Sequence, residues 1–178
     1  TRRAQSITLD IAEADITVIA SNAEKALEET QLIGALLVAA ESTGAAVSCL
    51  NVTVDYLKTR KQFGKLIGSY QALKHPSVDI LCAIESSKSL IYQAATELNA
   101  DALSRDARIA CHMAKSKASE TLVFAGDRAV QFHGGMGFTY ECDAQLYLRR
   151  GLWAQQAFGD PMHHRKRLAQ LILDDEQV

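Results

Sequence analysis

Apolar and polar residues alternate at one place only. In SITLDIAEADITVIA, residues 6–20, Ile7, Leu9 and Ile11 alternate with Thr8 and Asp10. Ile16, Val18 and Ala20 repeat the period after a turn near 13–15. A period of two is that of a half-buried strand, so a β-hairpin is predicted here. Two strands are marginal in water without a sheet or helix to lean on, which makes this hairpin the edge of something larger.

From Ser21 onward the period changes. Asn22 is a helix-capping residue type and stands before Ala23, Glu24 and Lys25. Leu36, Ala40, Val47, Leu50, Val54 and Leu57 then recur at spacings of three, four and seven. They form the apolar stripe of one helix, roughly 55–60 Å long, that Gly64 and Gly68 end. Pro76 is placed at the entry of a second helix, where its missing N–H is tolerated. Ile80, Ile84, Ile91, Ala94 and Leu98 mark that helix's buried side. Asp101 or Ser104 caps a third, whose face runs through Ile109, Met113, Ala114, Ala118, Leu122, Ala125 and Ala129. HGGMGF at 133–138 breaks it, a shorter helix covers about 143–157, and FGDP breaks again. A last amphipathic segment holds Leu168, Leu171 and Ile172. Long helices with short connections predict an all-α fold, an antiparallel up-down four-helix bundle behind a short N-terminal hairpin.

Composition narrows the classes. At 178 residues the chain is one domain with a small appendage, and 48% hydrophobic content excludes disorder. A net charge of −2 argues against a polyanion binder, so no nucleic-acid partner is expected. No apolar run is read as reaching the ~20 residues that span a bilayer, and the start TRRAQSITLD has no signal core; no membrane partner is expected. Cys49, Cys82, Cys111 and Cys142 are widely spaced, which suits reduced thiols in a cytoplasmic protein. The chain opens without Met, and a piece of a longer protein is expected.

Three clusters carry chemistry. A carboxylate-bridged metal would need Glu-x-x-His on facing helices, which no Glu of the chain provides. The adjacent His163 and His164 point about 100° apart on a helix, so no metal site is expected. In TRKQFGKLIGSYQALKH, the residues Arg60, Gln62, Phe63, Gly64, Tyr70 and Gln71 crowd one turn. A cationic helix end followed by a glycine turn accounts for part of this. An Arg fork for phosphate, a flat aromatic face and paired amide groups for a heterocycle edge make a nucleotide-like ligand the alternative. In QFHGGMGF, Gln131, His133, Gly134, Gly135 and Gly137 form either a glycine-terminated helix end or a backbone cradle for an anion. No strand precedes the glycines, so this is not a dinucleotide fingerprint of the strand–helix kind. The basic run Arg149, Arg150, His163, His164, Arg165, Lys166 and Arg167 is ordinarily a solvated face.

Together, YLKTRKQFGKLIGSYQALKH, QFHGGMGFTYE and LYLRR resemble the C-terminal helical domain of the flavin-dependent acyl-CoA dehydrogenases, over about residues 22–173. The resemblance implies that 1–21 are a remnant of the family's middle β domain and that 22–178 are its C-terminal four-helix-bundle domain. It implies FAD bound between subunits. Arg60 matches the family's Arg near the FAD diphosphate, Gln71 its partner, and Phe63 packs on the cofactor beside them. Gln131, Gly134 and Gly135 match the Gln-x-x-Gly-Gly segment, which contacts FAD from a neighbouring subunit. A dimer would supply both halves reciprocally, and tetramers would be pairs of dimers. The implied reaction is α,β-dehydrogenation of an acyl-CoA thioester, with an electron-transfer flavoprotein as a partner. In it a desolvated carboxylate takes the α-proton.

The chain departs from that pattern at the base. The family's usual Glu, followed by Gly-Thr, falls on Phe158, with Gly159 and Asp160 after it. The other position that some members use falls on Gly34, and the Asp-x-x-Arg substrate motif falls on residues 32–35 and is missing. Glu41 lies two turns beyond Gly34, only about 20° round the helix, and interrupts the apolar run LLVAAESTG. It is the candidate for a relocated base, set against a Glu that pairs with a Lys or Arg of another helix; Glu141 is a weaker candidate. Two functions follow. The chain is the C-terminal part of an FAD-dependent acyl-CoA dehydrogenase, inactive as a fragment, in a homo-oligomer. Alternatively it is a non-catalytic partner in a heterotetramer, supplying flavin contacts while a sister chain holds the base.

Overall fold

The computed structural model describes residues 6–8, 10–12, 16–18 and 23–173. Five helices follow one another: α1 (Glu24–Thr59), α2 (Gln71–Ala100), α3 (Arg105–His133), α4 (Ala144–Gln156) and α5 (Pro161–Leu173). A two-stranded antiparallel hairpin, β1 (Lys61–Gln62) and β2 (Lys65–Leu66), lies between α1 and α2. α3 is the central helix and packs against the other four, with α4 and α5 together completing the bundle.

The elements follow from local chemistry. Ser104 caps α3, its hydroxyl accepting from the Ala107 N–H at 3.1 Å, while Asp101 accepts from the Leu103 N–H in the preceding turn. Asp160 caps α5 through the His163 N–H at 2.7 Å, with Pro161 at the first helical position, where it loses no bond. The core is small-sided. Ala110, Ala114, Ala118, Leu122, Ala125 and Ala129 line the buried face of α3. A Cβ on Gly126 would stand 2.7 Å from the Leu148 backbone, which shows how closely α4 lies on α3.

Several details differ from the sequence pattern. The described residues among 6–18 are exposed and carry no strand; residues 9, 13–15, 19 and 20 of the expected hairpin, with its turn, lie outside the described residues, as does Asn22. Among the described residues no sheet or helix face is offered to them, and an isolated pair is marginal alone. Ala23, without a side-chain cap, stands before α1. α2 starts at Gln71, so Pro76 sits inside it and removes one helical bond instead of marking the entry. Along α1 the buried face includes Ser42 and Thr53 and leaves Ala40 exposed. Those two hydroxyls donate to the Val38 and Cys49 carbonyls, both at 2.7 Å, which makes their burial affordable in hydrogen bonds. α1 also contains a stretch of mean hydropathy 1.6, long and apolar enough to cross a membrane by length and composition, contrary to the reading above; 44% of that stretch is buried in the bundle.

Candidate functional site

The end of α1 and the end of α3 meet in one groove. Arg60 leaves α1 in extended conformation (φ −71°, ψ 130°) and leads into the β1–β2 hairpin. The two-residue turn between the strands is Phe63–Gly64, with φ of 54° and 79°. Positive φ at both positions is what a type I′ turn demands, and Asn-Gly is its usual sequence. A phenylalanine there is strained, and this one is 88% exposed, touching only the edge of Tyr70. The chain next returns through a tight turn at Ile67–Ser69, where a Cβ on Gly68 would stand 2.7 Å from the Leu57 carbonyl oxygen.

On the opposite wall, α3 stops at His133. Gly134 follows at φ 60°, ψ −140°, a conformation open to glycine alone. His133 is buried, stacked on Tyr56 with centroids 4.2 Å apart. Its Nδ1 lies 2.7 Å from the Ala129 carbonyl, which can only accept, so Nδ1 carries the proton. Tyr56, Arg60, Phe63, His133, Gly134 and Gly135 line a cavity of about 620 Å³. The Arg60 guanidinium makes no hydrogen bond or ion pair with the described residues, and Cβ atoms added to Gly134 and Gly135 would meet nothing within 4 Å. A free guanidinium, an unshielded glycine arc and an exposed ring can receive a diphosphate and a flat heterocycle.

Of the residues singled out in the sequence, Arg60, Phe63, Gly134 and Gly135 come together here. They do so within one chain, so a second copy is not needed to bring the two clusters together; α1 and α3 run parallel, and both end at this groove. Gln71 and Gln131 are exposed and are not lining residues of this cavity. Glu41 is exposed and bound to Arg150, whose Nε donates to its Oε1 at 2.5 Å while the guanidinium lies 4.0 Å from the Trp153 ring centroid. Glu141 is also exposed.

A second cavity, about 830 Å³, opens between α1, α3 and α5. Phe158 and Gly159, at φ 58° and 102°, form part of its wall. The Phe158 ring lies on α1 at Gly34: a Cβ added to Gly34 would stand 2.4 Å from Cε1 of that ring. The two positions expected to carry a base therefore touch, and neither has a carboxylate.

The sequence reading missed what supports this turn. Lys115 is fully buried, and its ammonium donates to Ser119 Oγ at 2.9 Å and to the Ala154 and Gly159 carbonyls at 3.0 Å each. Burial pulls its pKa down to about 8, against a smaller opposing effect of Asp160. The signal was present, since Lys115 shares a helical face with Cys111, Ala118 and Leu122. His112 and His164 also pair, Nδ1 to Nδ1 at 2.8 Å, and burial first, then neighbouring positive groups, lowers each to about 4. Arg108 holds Glu28 with two hydrogen bonds at 2.7 and 3.1 Å.

The family model of the acyl-CoA dehydrogenase C-terminal domain matches residues 25–173. The acyl-CoA dehydrogenase IpdE2 of Mycolicibacterium smegmatis is 40% identical over 134 residues, covering 75% of this chain and 40% of its own length. The caffeyl-CoA reductase–Etf complex subunit CarC of Acetobacterium woodii is 38% identical over 129 residues, 72% of this chain and 32% of that one. Among solved structures, the Tcur3481–Tcur3483 steroid ACAD superposes with a TM-score of 0.80 at 28% identity, covering 87% of this chain and 42% of that one. The chain thus spans less than half the length of these relatives.

Proposed function

Because this chain belongs to the acyl-CoA dehydrogenase family, as its C-terminal helical domain, we propose that it is part of an FAD-dependent acyl-CoA dehydrogenase subunit that holds flavin and leaves proton abstraction to a sister chain. The groove suits FAD. Arg60 would pair with the diphosphate, the open arc at Gly134–Gly135 would admit it close to backbone N–H groups, and Phe63 would lie against a ring of the cofactor. When bound, FAD supplies the acceptor for the hydrogen that leaves the β-carbon as hydride. The Tyr56–His133 stack fixes the floor of the groove, and the proton on His133 Nδ1 ties the ring to the Ala129 carbonyl in the last turn of α3, just before the glycine arc.

The observation that carries the assignment of roles is the contact of Phe158 with Gly34. A general base must be a proton acceptor within reach of the substrate carbon. Here both slots that the family resemblance marks for it are filled by a phenyl ring lying on a glycine. Glu41 is neutralised by Arg150 and is not a lining residue of either cavity, which favours the structural reading weighed for it above. The resemblance to a protein named as an Etf-complex subunit and to a structure named for two components, Tcur3481 and Tcur3483, supports an electron-transfer flavoprotein and a sister subunit as partners.

The test is anaerobic reduction of flavin by acyl-CoA in the full-length protein. Alone, it is expected to take up flavin and stay oxidised through a panel of acyl-CoAs; mixed with its sister chain, the flavin is expected to bleach. Rapid bleaching of the protein alone, abolished by Glu41→Gln, would overturn the division of labour and establish Glu41 as a relocated base.

A further inference from the structure

We propose that Phe158 is the specificity-determining residue of the cavity between α1, α3 and α5, a wedge that closes its inner end to long acyl groups, and that Lys115 is the residue that positions it. The ligand named here rests on the acyl-CoA reading; the device rests on the chain's own geometry.

A bulky aromatic side chain at φ 58° is held against its backbone preference. Such strain persists where the surroundings over-determine it, and places of this kind cluster at ligand sites. Three restraints act on this turn. Before it, the Ala154 carbonyl near the end of α4 accepts from Lys115; after it, the Gly159 carbonyl accepts from the same ammonium. Asp160 then fixes the start of α5 by capping the His163 N–H. The ring itself rests on Gly34, the residue of α1 that leaves room for it. Any side chain at 34 would expel the ring, and any loss of the ammonium would free the two carbonyls that hold the turn.

The cavity's apolar wall suits an uncharged, apolar group. Leu32, Ala35, Leu171 and the Phe158 ring line it. Arg108 and Glu28 compensate each other and the His112 and His164 imidazoles bond to each other and stay neutral near pH 7, which leaves Glu24 on α1 and Arg167 on α5 as the other charged groups of the lining. With half of its surface exposed, Phe158 presents a ring face to whatever enters. Lys115 is not exposed at all, and its three hydrogens are all taken, so it reaches a ligand only through the turn it holds.

The experiment is calorimetric titration of the full-length protein with butanoyl-CoA and with dodecanoyl-CoA at pH 7.5. Its readout is the ratio of the two dissociation constants. Phe158→Ala is expected to shift that ratio at least tenfold in favour of the dodecanoyl thioester. Gly34→Ala, which expels the ring without altering it, is expected to shift it in the same direction. Lys115→Met is expected to shift it in the wild-type background and to have no further effect beside Phe158→Ala, the signature of a residue acting through another. If Lys115→Met does not fold, Lys115→Gln, which keeps two donors, takes its place. A ratio within twofold of wild type in both Phe158→Ala and Gly34→Ala overturns the wedge, as does binding of neither thioester by any variant. An undiminished effect of the Lys115 variant beside Phe158→Ala overturns its positioning role. Flavin absorbance on the same samples reads the groove separately: a protein without flavin that shows the shift sinks the flavin reading alone.

Discussion

Two imidazole nitrogens 2.8 Å apart limit how many protons the His112–His164 pair can hold. One Nδ1 can donate to the other; two protonated Nδ1 atoms face to face must separate, so the pair titrates as a coupled unit. Both groups sit near pH 4 when folded and return to an ordinary 6.5 when unfolded. Between those values the unfolded chain binds more protons, so stability is full above about pH 6.5 and falls as pH drops towards 4. Urea midpoints measured at pH 7.5, 5.5 and 4.5 should fall, and His112→Asn, which keeps a polar partner but does not titrate, should flatten the trend. Phe63 stores strain at the residue scale too. Phe63→Asn creates the turn's preferred Asn-Gly and is expected to raise unfolding stability by about 1 kcal/mol, the scale of the penalty that positive φ imposes. The same substitution should weaken flavin uptake, because the exposed ring is gone. A rise in stability with no loss of flavin would remove Phe63 from the groove's function.

At the scale of elements, the bundle depends on small residues where helices cross. Gly126 sets the α3–α4 separation, and a methyl group there meets the Leu148 backbone, which cannot rotate away. Gly126→Ala is expected to cost about 1–3 kcal/mol in chemical denaturation, the range for overpacking. The helices themselves were legible where a period near 3.6 survives in the apolar face, as Ile80, Ile84 and Ala94 of α2 show by being buried where the spacing puts them. What periodicity could not supply was set by side-chain hydrogen bonds and by missing partners. Ser42 and Thr53 enter the core because helix carbonyls satisfy them, so a polar residue type marked a buried position. The alternation in 6–20 belongs to a strand only where a neighbouring strand or face exists, and none is offered among the described residues.

For the molecule as a whole, both halves of the groove proposed for flavin were visible as Arg60 with Phe63 and as the glycines at 134–135, yet their meeting within one chain was not. Sequence separation hides it, because α1 and α3 run parallel and bring together helix ends about seventy positions apart. The wedge was hidden for a different reason: Phe158 and Gly34 read only as two base positions without a carboxylate until the ring is seen lying on Gly34 and the turn on Lys115. The proposal on which the others rest is that one groove on this chain receives FAD. Gly135 offers its sharpest probe, since a Cβ added there meets no described atom within 4 Å and faces what enters from outside. FAD titration of the full-length protein, followed by flavin absorbance, should show Gly135→Leu weakening binding at least tenfold with the unfolding midpoint of the flavin-free protein unchanged. Equal affinity in Gly135→Leu and wild type would contradict the assignment of the groove.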